Sequence, residues 1–260
     1  MAGAAVPQSD VLHVHLDPAA ALEAYAHHRR RFGEEVATLD LEALQARSRC
    51  SEWSVADVLR HINDVDGWMD AIWSGCPPPF TAFDPNVTPR QWVEAGRAIP
   101  DAEVRDRFAI ATPTRAAAVS ESTVERWGLP SLSPLGAVPW WMSALHVFFD
   151  SWVHERDVLL PLGIEPPAVD DETGPVATYL VGVAATFASR PVATVIAGVR
   201  VTVGDGPPAV MPEAGVDLDE TEVATIIDAL CGRGSLNAAL AGYHATVIEQ
   251  YGMLAQLLND

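Results

Sequence analysis

The chain has 260 residues, nearly half of them apolar, and a formal net charge of -19. A surface this acidic repels nucleic-acid phosphates and anionic lipid headgroups, so neither a nucleic acid nor a membrane is an expected partner. All sixteen basic residues are arginine, and the lack of lysine excludes Schiff-base chemistry and a P-loop lysine.

Cysteine usage and the termini indicate a reducing compartment. Cys50, Cys76 and Cys231 are odd in number, far apart and outside any CxxC spacing, so we expect free thiols. The first residues lack the basic and apolar stretches of a secretory signal. The most apolar run, residues 176–199, is broken by an arginine and a proline and is too short to span a bilayer. We therefore expect a soluble cytoplasmic protein, either a monomer or a homodimer.

Apolar spacing and local start and stop signals predict a mainly helical chain. Residues 1–17 are predicted as an irregular arm, 128–139 as a loop, and 195–203 as one strand. The predicted helical segments are 18–39, a helix beginning at Ser54, segments within 91–125, 140–160, 172–189, 221–231 and 236–258. Composition changes after Pro166–Pro167, which suggests a domain of residues 18–164 followed by a smaller α+β or mostly helical domain of residues 165–260.

Two local features of the first helices can be interpreted directly. Ser54 is followed three residues later by Asp57, the arrangement of a reciprocal helix cap. His27 and His28 precede three arginines on the first helix, and we interpret this polar group as solvated.

The predicted helix of residues 140–160 carries one polar stripe on an otherwise apolar surface. Ser143, His146, Asp150, His154 and Asp157 are three or four residues apart, so they share one face. The stripe is either the solvated side of an amphipathic helix or the wall of an internal cavity. Two histidines flanking an aspartate favour the cavity, since a solvated face usually carries Glu, Arg or Gln.

Side chains one helical turn apart can converge on a divalent ion. Asp150 satisfies this condition with either His154 or His146, whereas the two histidines are roughly 12 Å apart along the helix and cannot share an ion directly. A third ligand must come from another helix, and His61 is the best candidate; the alternative is a core histidine bonded to a neighbouring aspartate. Glu155, off the stripe, is expected to lie in solvent.

Two segments resemble the DinB-like superfamily, in particular its mycothiol-dependent maleylpyruvate isomerase branch. Residues 50–62, CSEWSVADVLRHI, are similar to the first signature, and residues 133–163, SPLGAVPWWMSALHVFFDSWVHERDVLLPLG, to the second. Residues 228–236, DALCGRGSL, resemble the Gly-Arg turn of the C-terminal domain of this branch. The resemblance implies a four-helix bundle whose metal ligands are His61, Asp150 and His154. The family more often has glutamate at position 150, so the shorter Asp150 implies a closer or weaker metal contact, which His146 could assist.

The resemblance also implies a mechanism and its cofactors. Two histidines and a carboxylate leave an open position on the metal, most often zinc, although nickel, manganese and iron accept the same ligands. In this family the open position receives the thiol mycothiol as a thiolate, which attacks a small electrophilic substrate. Asp157 is the candidate catalytic group that orients an imidazole or a cofactor hydroxyl; Arg233 could clamp a substrate or cofactor carboxylate, and Arg90 is a second candidate for anion binding. Each of the three could instead be a solvated side chain.

Three functions remain open at this point. The first is a mycothiol-dependent S-transferase or cis–trans isomerase. The second is an enzyme of the same fold that tailors secondary metabolites without a thiol, and the third is a non-catalytic protein that binds a small molecule in the cavity.

Overall fold

The computed structural model describes residues 12–14, 18–76, 84, 87–127, 129–133, 136–167, 169, 171–177, 179–180, 195–196, 199–203 and 220–239. Two compact units divide the chain. The bundle unit is Pro18–Glu172, and the sheet unit combines Met1–Asp17 with Thr173–Asn259. The domain bounds of 18–164 and 165–260 stay predictions.

The helices and strands follow one another in this order. The helices are α1 (Pro18–Ala37), α2 (Leu41–Gln45), α3 (Val55–Trp73), α4 (Thr88–Gly96), α5 (Asp101–Ser120), α6 (Val124–Trp127), α7 (Trp140–Leu159), α8 (described at 171–177 and 179–180), α9 (Glu220–Leu230) and α10 (Leu236–Ala239). A 3-10 turn, Leu160–Leu162, continues α7. The strands are β1 (Leu12–Val14), β2 (Pro130–Ser133), β3 (Gly136–Pro139), β4 (Val195–Ile196) and β5 (Val199–Val203).

Four long helices form the bundle, each packed against two others. Helix α1 contacts α5 and α7, and α3 likewise contacts α5 and α7, which closes a ring of four helices. The described apolar core includes Phe32, Leu44, Leu59, Ile62, Phe108 and Val158. The predicted fold class, a mainly helical bundle followed by a smaller region with helices and strands, is confirmed for the described residues.

The start of α3 is set by the predicted cap. The Ser54 side chain accepts a hydrogen bond from the Asp57 main-chain nitrogen, and the Asp57 carboxylate accepts one from the Ser54 nitrogen. Asp57 also holds Arg60 and Arg97, which ties the first turn of α3 to the end of α4. This cap fixes the position of His61, one and a half turns into the helix.

The segment predicted as a loop at 128–139 differs from the structure. Its described residues form the antiparallel hairpin β2–β3, in which Pro130 lies opposite Pro139. Prolines at the two outer ends of the hairpin do not interrupt its ladder, so they mark its limits rather than exclude strands. The hairpin leads directly into α7, whose first nitrogen donates to the Leu129 carbonyl.

The described strands of the sheet unit form a three-stranded sheet in the order β1–β5–β4, and both pairs of neighbouring strands are antiparallel. Part of the segment predicted as an irregular arm is therefore β1, whose Leu12 lies opposite Val203. The single strand predicted at 195–203 is instead two strands. Most of the predicted helix 172–189 and most of the predicted helix 236–258 lie outside the described residues. Among the helices that are described, none is both long and apolar enough to cross a bilayer.

Candidate metal centre

The polar stripe of α7 faces the inside of the bundle. Ser143 and Asp157 are fully buried, His154 is 8 % exposed, and His146 and Asp150 are partly buried. The stripe is therefore not the solvated face of an amphipathic helix. It lies beside α3, from which His61 reaches it.

His61, Asp150 and His154 converge on one point, with donor atoms within 4.8 Å of one another. Asp150 Oδ1 lies 3.4 Å from His61 Nε2 and 3.6 Å from His154 Nε2. The two imidazole rings meet edge to face, with centroids 4.9 Å apart. Ligand atoms bound at 2.0–2.2 Å to one tetrahedral ion are about 3.4 Å apart, so the observed separations leave the space that such an ion needs.

Two buried atoms of this group have no hydrogen-bond partner among the described residues: Asp150 Oδ2 and His61 Nδ1. Buried polar atoms are rarely left without a partner, because the loss of hydration is costly. A divalent cation bound by the carboxylate and the two Nε2 atoms would offset the charge of Asp150 and give Asp150 Oδ2 a partner, whereas His61 Nδ1 faces away from that position. The donor set therefore fits a divalent metal.

Protonation in the metal-free group follows from its charges. Burial opposes the charged form of Asp150, but His154 and His61 outweigh burial and hold the pKa of this carboxyl well below its ordinary value. Burial likewise opposes the charged form of His154, but Asp150 and Asp157 raise its pKa well above 6.5. The carboxylate is thus ready to bind a cation, whereas the metal must displace a proton from His154.

Asp157 lies behind His154, on the side away from Asp150. Its Oδ2 accepts a hydrogen bond from His154 Nδ1 at 3.0 Å, and the carboxylate is completely buried. A ligand histidine commonly donates its second ring nitrogen to a carboxylate in this way, which fixes the tautomer and the ring orientation. The geometry matches the orienting role predicted for Asp157, which stays a proposal.

Sequence reasoning missed two residues beside the centre, Cys50 and Trp53. The Cys50 thiol lies 3.3 Å from Asp157 Oδ2. The Trp53 ring packs against His61 and His154, with centroid distances of 5.3 and 6.4 Å. Both precede α3 in the segment that resembles the family signature, but nothing in local spacing indicates that they contact α7.

His146 and the two predicted arginines are not among the described residues whose ligand atoms converge at this centre. Burial, only partly offset by Asp150, lowers the pKa of His146 to about 4, so this ring is neutral at pH 7. Arg90 is 44 % exposed and pairs with Glu52 at 3.4 Å. Arg233 is in the sheet unit, where its guanidinium donates to the Cys231 carbonyl. The structure thus brings together His61, Asp150, His154 and Asp157, while the roles of Arg90 and Arg233 stay predictions.

A second group of ligand-type side chains lies in the same unit: His28, Glu155 and Glu172. His28 Nδ1 is 3.6 Å from Glu155 Oε2 and 3.4 Å from Glu172 Oε2, and all three residues are buried. Arg31 pairs with Glu155 and, at 2.8 Å, with Glu172. The interpretation of His27–His28 as solvated is therefore wrong for His28, and Glu155 is not in solvent, because both are held by charges from other helices.

Comparison with known proteins agrees with this architecture. Residues 25–159, just over half of the chain, match the family model described as the mycothiol maleylpyruvate isomerase N-terminal domain. A crystal structure of a histidine-to-alanine mutant of the mycothiol-dependent maleylpyruvate isomerase has a TM-score of 0.54 at 15% identity, covering 85% of this chain and 91% of that one. A second structure, titled as the mycothiol-dependent maleylpyruvate isomerase, has a TM-score of 0.49 at 15% identity, covering 65% and 70%. No curated protein matches.

The fold and the buried histidine–carboxylate centre define a helical-bundle protein with a candidate metal site. The family-model match makes the relationship specific: the chain belongs to the mycothiol maleylpyruvate isomerase family. The matched residues include His61, Asp150, His154 and Asp157. At 15% identity, the TM-score of 0.54 supports the common fold.

Proposed function

We propose that this chain is a cytoplasmic, metal-dependent enzyme that uses mycothiol as a thiol cosubstrate to act on a small electrophilic molecule. The reaction is either an S-transfer or a cis–trans isomerisation. One observation carries the proposal: His61, Asp150 and His154 place three donor atoms at ligand spacing inside the family-matched region. The mycothiol component rests on family membership.

The three side chains would hold the metal through both Nε2 atoms and the Asp150 carboxylate. Zinc is the most suitable ion, because two imidazoles and one carboxylate leave a fourth tetrahedral position open, as in catalytic zinc sites. When bound, the ion would lower the pKa of a coordinated thiol from about 8.5, making a thiolate available at neutral pH. The family relatives titled as mycothiol-dependent support a thiol in that role.

Three side chains around the candidate metal ligands orient them, pack against them or could hydrogen-bond a cosubstrate. Asp157 holds the proton of His154 at Nδ1, so the lone pair of Nε2 faces Asp150. The Trp53 ring packs against both imidazoles and limits their movement. His146 is neutral at pH 7 and only weakly basic, which suits hydrogen bonding to a cosubstrate rather than proton abstraction.

Recognition of anionic groups is assigned to arginine. We propose Arg233 as the group that clamps a carboxylate of the substrate or cofactor by two parallel hydrogen bonds. Arg90 is a second candidate, but its exposed pair with Glu52 already neutralises part of its charge. Replacing Arg233 by methionine should raise KM for an anionic substrate more than it lowers kcat.

Metal analysis of the purified, dialysed protein tests the proposal first. We expect about one divalent ion per chain in the wild type and almost none in His61→Ala. The variant His27→Ala is the matched control, because His27 is exposed on α1 and should leave the metal content unchanged. Absence of a stoichiometric ion would contradict the proposal and favour a non-catalytic protein that binds a small molecule.

The thiol is tested with the cobalt-loaded protein. Adding mycothiol should introduce a thiolate-to-cobalt charge-transfer band and change the visible spectrum. A spectrum that does not respond to mycothiol would contradict the thiol role and favour an enzyme of the same fold that does not use a thiol. Mass spectrometry then separates the two reactions, since an S-transferase releases a thioether adduct and an isomerase releases the thiol unchanged.

A further inference from the structure

The turn of residues 48–53, between α2 and α3, is compact and closely hydrogen-bonded. The Ser48 hydroxyl and main-chain nitrogen both donate to the Trp53 carbonyl, at 2.8 and 3.1 Å. The Trp53 nitrogen donates to the Cys50 carbonyl at 3.2 Å. These bonds fix Cys50 and Trp53 relative to each other and to the start of α3, and therefore relative to His61.

The same turn contacts α7 at Asp157 in three places, one of which is the ion pair between Arg49 Nε and Asp157 Oδ1 at 3.8 Å. The Cys50 thiol, only 6% exposed, lies 3.3 Å from Asp157 Oδ2, the oxygen that also accepts from His154 Nδ1. The Arg49 main-chain nitrogen donates to the Asp157 carbonyl at 3.2 Å. A carboxylate is thus held by an element outside its own helix, on the side away from the metal position.

The separations within this group indicate hydrogen bonds rather than a second metal site. Cys50, His154 and Asp157 also lie close enough together to be considered as metal ligands. Two ligands of one tetrahedral ion would be about 3.4 Å apart for nitrogen and oxygen, and about 3.5 Å for sulfur and oxygen. The observed 3.0 and 3.3 Å are shorter and match N–H···O and S–H···O contacts.

We propose that Cys50 is a positioning residue of the metal centre. Its S–H donates to Asp157, and the carboxylate thus held fixes the His154 ring with Nε2 facing Asp150. The Arg49 guanidinium and His154 Nδ1 already contact the two oxygens of this carboxylate. The Cys50 S–H adds a second donor at Oδ2, the oxygen that accepts from His154, and so limits rotation of the carboxylate about its terminal bond. This inference rests on the metal-dependent function proposed above.

Substitutions that differ only in the donor test the role of Cys50. Cys50→Ala removes the S–H, whereas Cys50→Ser keeps a hydroxyl donor of similar size. We expect zinc affinity, measured by competition with a chelator, to fall about fivefold in Cys50→Ala, because one weak hydrogen bond acts through an intermediate group. Cys50→Ser should stay within about twofold of the wild type. Cys231→Ala is the matched control, because it removes another buried thiol in the sheet unit.

A second readout separates positioning from a general loss of stability. In the metal-free wild type at high pH, nitrogen NMR of the His154 ring should show the proton on Nδ1. In Cys50→Ala, the ring should show a mixture of tautomers, even where circular dichroism shows an intact fold. Cys50→Val, which fills the space without a donor, replaces the alanine variant if the latter does not fold.

Three results would overturn the inference, and a fourth would overturn the proposed function instead. Equal zinc affinity together with an unchanged His154 ring in Cys50→Ala contradicts the positioning role. A thiolate-to-cobalt band in the thiol-free wild type that disappears in Cys50→Ala would make Cys50 a ligand instead. Loss of zinc affinity in Cys50→Ser equal to that in Cys50→Ala would assign the effect to packing. If the wild type binds no metal, the proposed function fails, while the NMR comparison in the metal-free protein still decides whether Cys50 positions the ring.

Discussion

The bundle unit contains two buried groups that combine histidine with carboxylate, and they differ in how their charge is balanced. In the His61–Asp150–His154 group, two buried atoms lack a partner among the described residues. In the His28–Glu155–Glu172 group, Arg31 contacts both carboxylates. Both groups have nitrogen–oxygen separations of 3.4 and 3.6 Å.

This contrast shows that ligand spacing alone does not define a metal site. Arg31 supplies the positive charge that a cation would bring to the second group, and contacts with His28 and Arg31 overcome burial to lower the pKa of Glu172. The first group has two histidines around one carboxylate, and its polar contacts within the described part of the chain include no arginine. This difference supports the proposal that the first group binds a metal ion, whereas Arg31 supplies the positive charge of the second group.

Removal of a ligand should have the largest effect. His61→Ala should weaken zinc binding more than 100-fold, since even residues that only support a ligand contribute 10- to 100-fold. Removing His28 should leave zinc binding within about threefold, because Arg31 still balances the second group. Chelator competition measures both variants, and a similar loss in the two would erase the distinction between the groups.

Removal of the Arg31 side chain should lower the stability of the protein, because Arg31 balances the charge of the second group. Arg31→Met leaves two buried carboxylates without their arginine, and we expect about 3 kcal/mol lower free energy of unfolding in urea. Arg30→Met on the exposed side of the same helix should change it by less than about 0.5 kcal/mol. We expect the second group to bind a second zinc ion in Arg31→Met but not in the wild type. If a calorimetric titration of Arg31→Met shows no second ion, ligand spacing is insufficient even without the arginine.

The protonation of His154 gives the metal-free protein a pH-dependent stability. Its pKa is raised in the folded protein, so the stabilisation is complete below about pH 6.5 and is lost as pH rises through the folded pKa. The slope should reach about 1.4 kcal/mol per pH unit. The pKa values of Asp150 and His146 are both lowered, so these two groups change the stability only below about pH 6.5.

Urea unfolding of the chelator-treated protein between pH 6.5 and 9 measures this slope. The variant His154→Gln should abolish it. A wild-type stability that rises over this range would contradict the raised pKa of His154.

Ser151 tests whether the two groups are independent, and its effect should be the smallest. It follows Asp150 in sequence, but its hydroxyl lies 3.0 Å from His28 Nε2 and accepts from Arg29 at 3.1 Å. Ser151→Ala should reduce the free energy of unfolding by about 1 kcal/mol without changing zinc affinity. Ser120→Ala, an exposed serine of α5, is the control for stability, and a more than threefold loss of zinc affinity in Ser151→Ala would show that the groups are coupled.

Local patterns predicted the elements that hold the metal centre. The cap at Ser54 and the three- and four-residue spacing along α7 depend on neighbours in sequence, so α3 and α7 could be placed closely: α7 was expected at 140–160 and is Trp140–Leu159. Its place beside the apolar face of α3 makes His61 a candidate third ligand, but only the family resemblance implies that it meets Asp150, because no periodicity shows which helices contact each other.

Contacts between segments far apart in sequence explain why the burial of Glu155 and the contact of Cys50 with Asp157 could not be predicted. His28 is three residues after Tyr25 and four before Phe32, so it shares their buried face, and that spacing could have revealed its burial. Glu155 gave no such signal, because a buried carboxylate requires Arg31 from another helix. Cys50 and Asp157 are 107 residues apart, and no pattern in the sequence around either residue indicates their contact.

X-ray absorption of the zinc-loaded protein, recorded without added thiol, tests the central claim most directly. The account predicts a first shell of nitrogen and oxygen atoms at about 2.0–2.2 Å, with the scattering of two imidazoles and no sulfur. Replacement of His61 by alanine should remove one imidazole or the bound zinc altogether. A sulfur atom at about 2.3 Å, or the same shell in the wild type and in His61→Ala, would contradict the assignment of His61, Asp150 and His154 as the metal ligands.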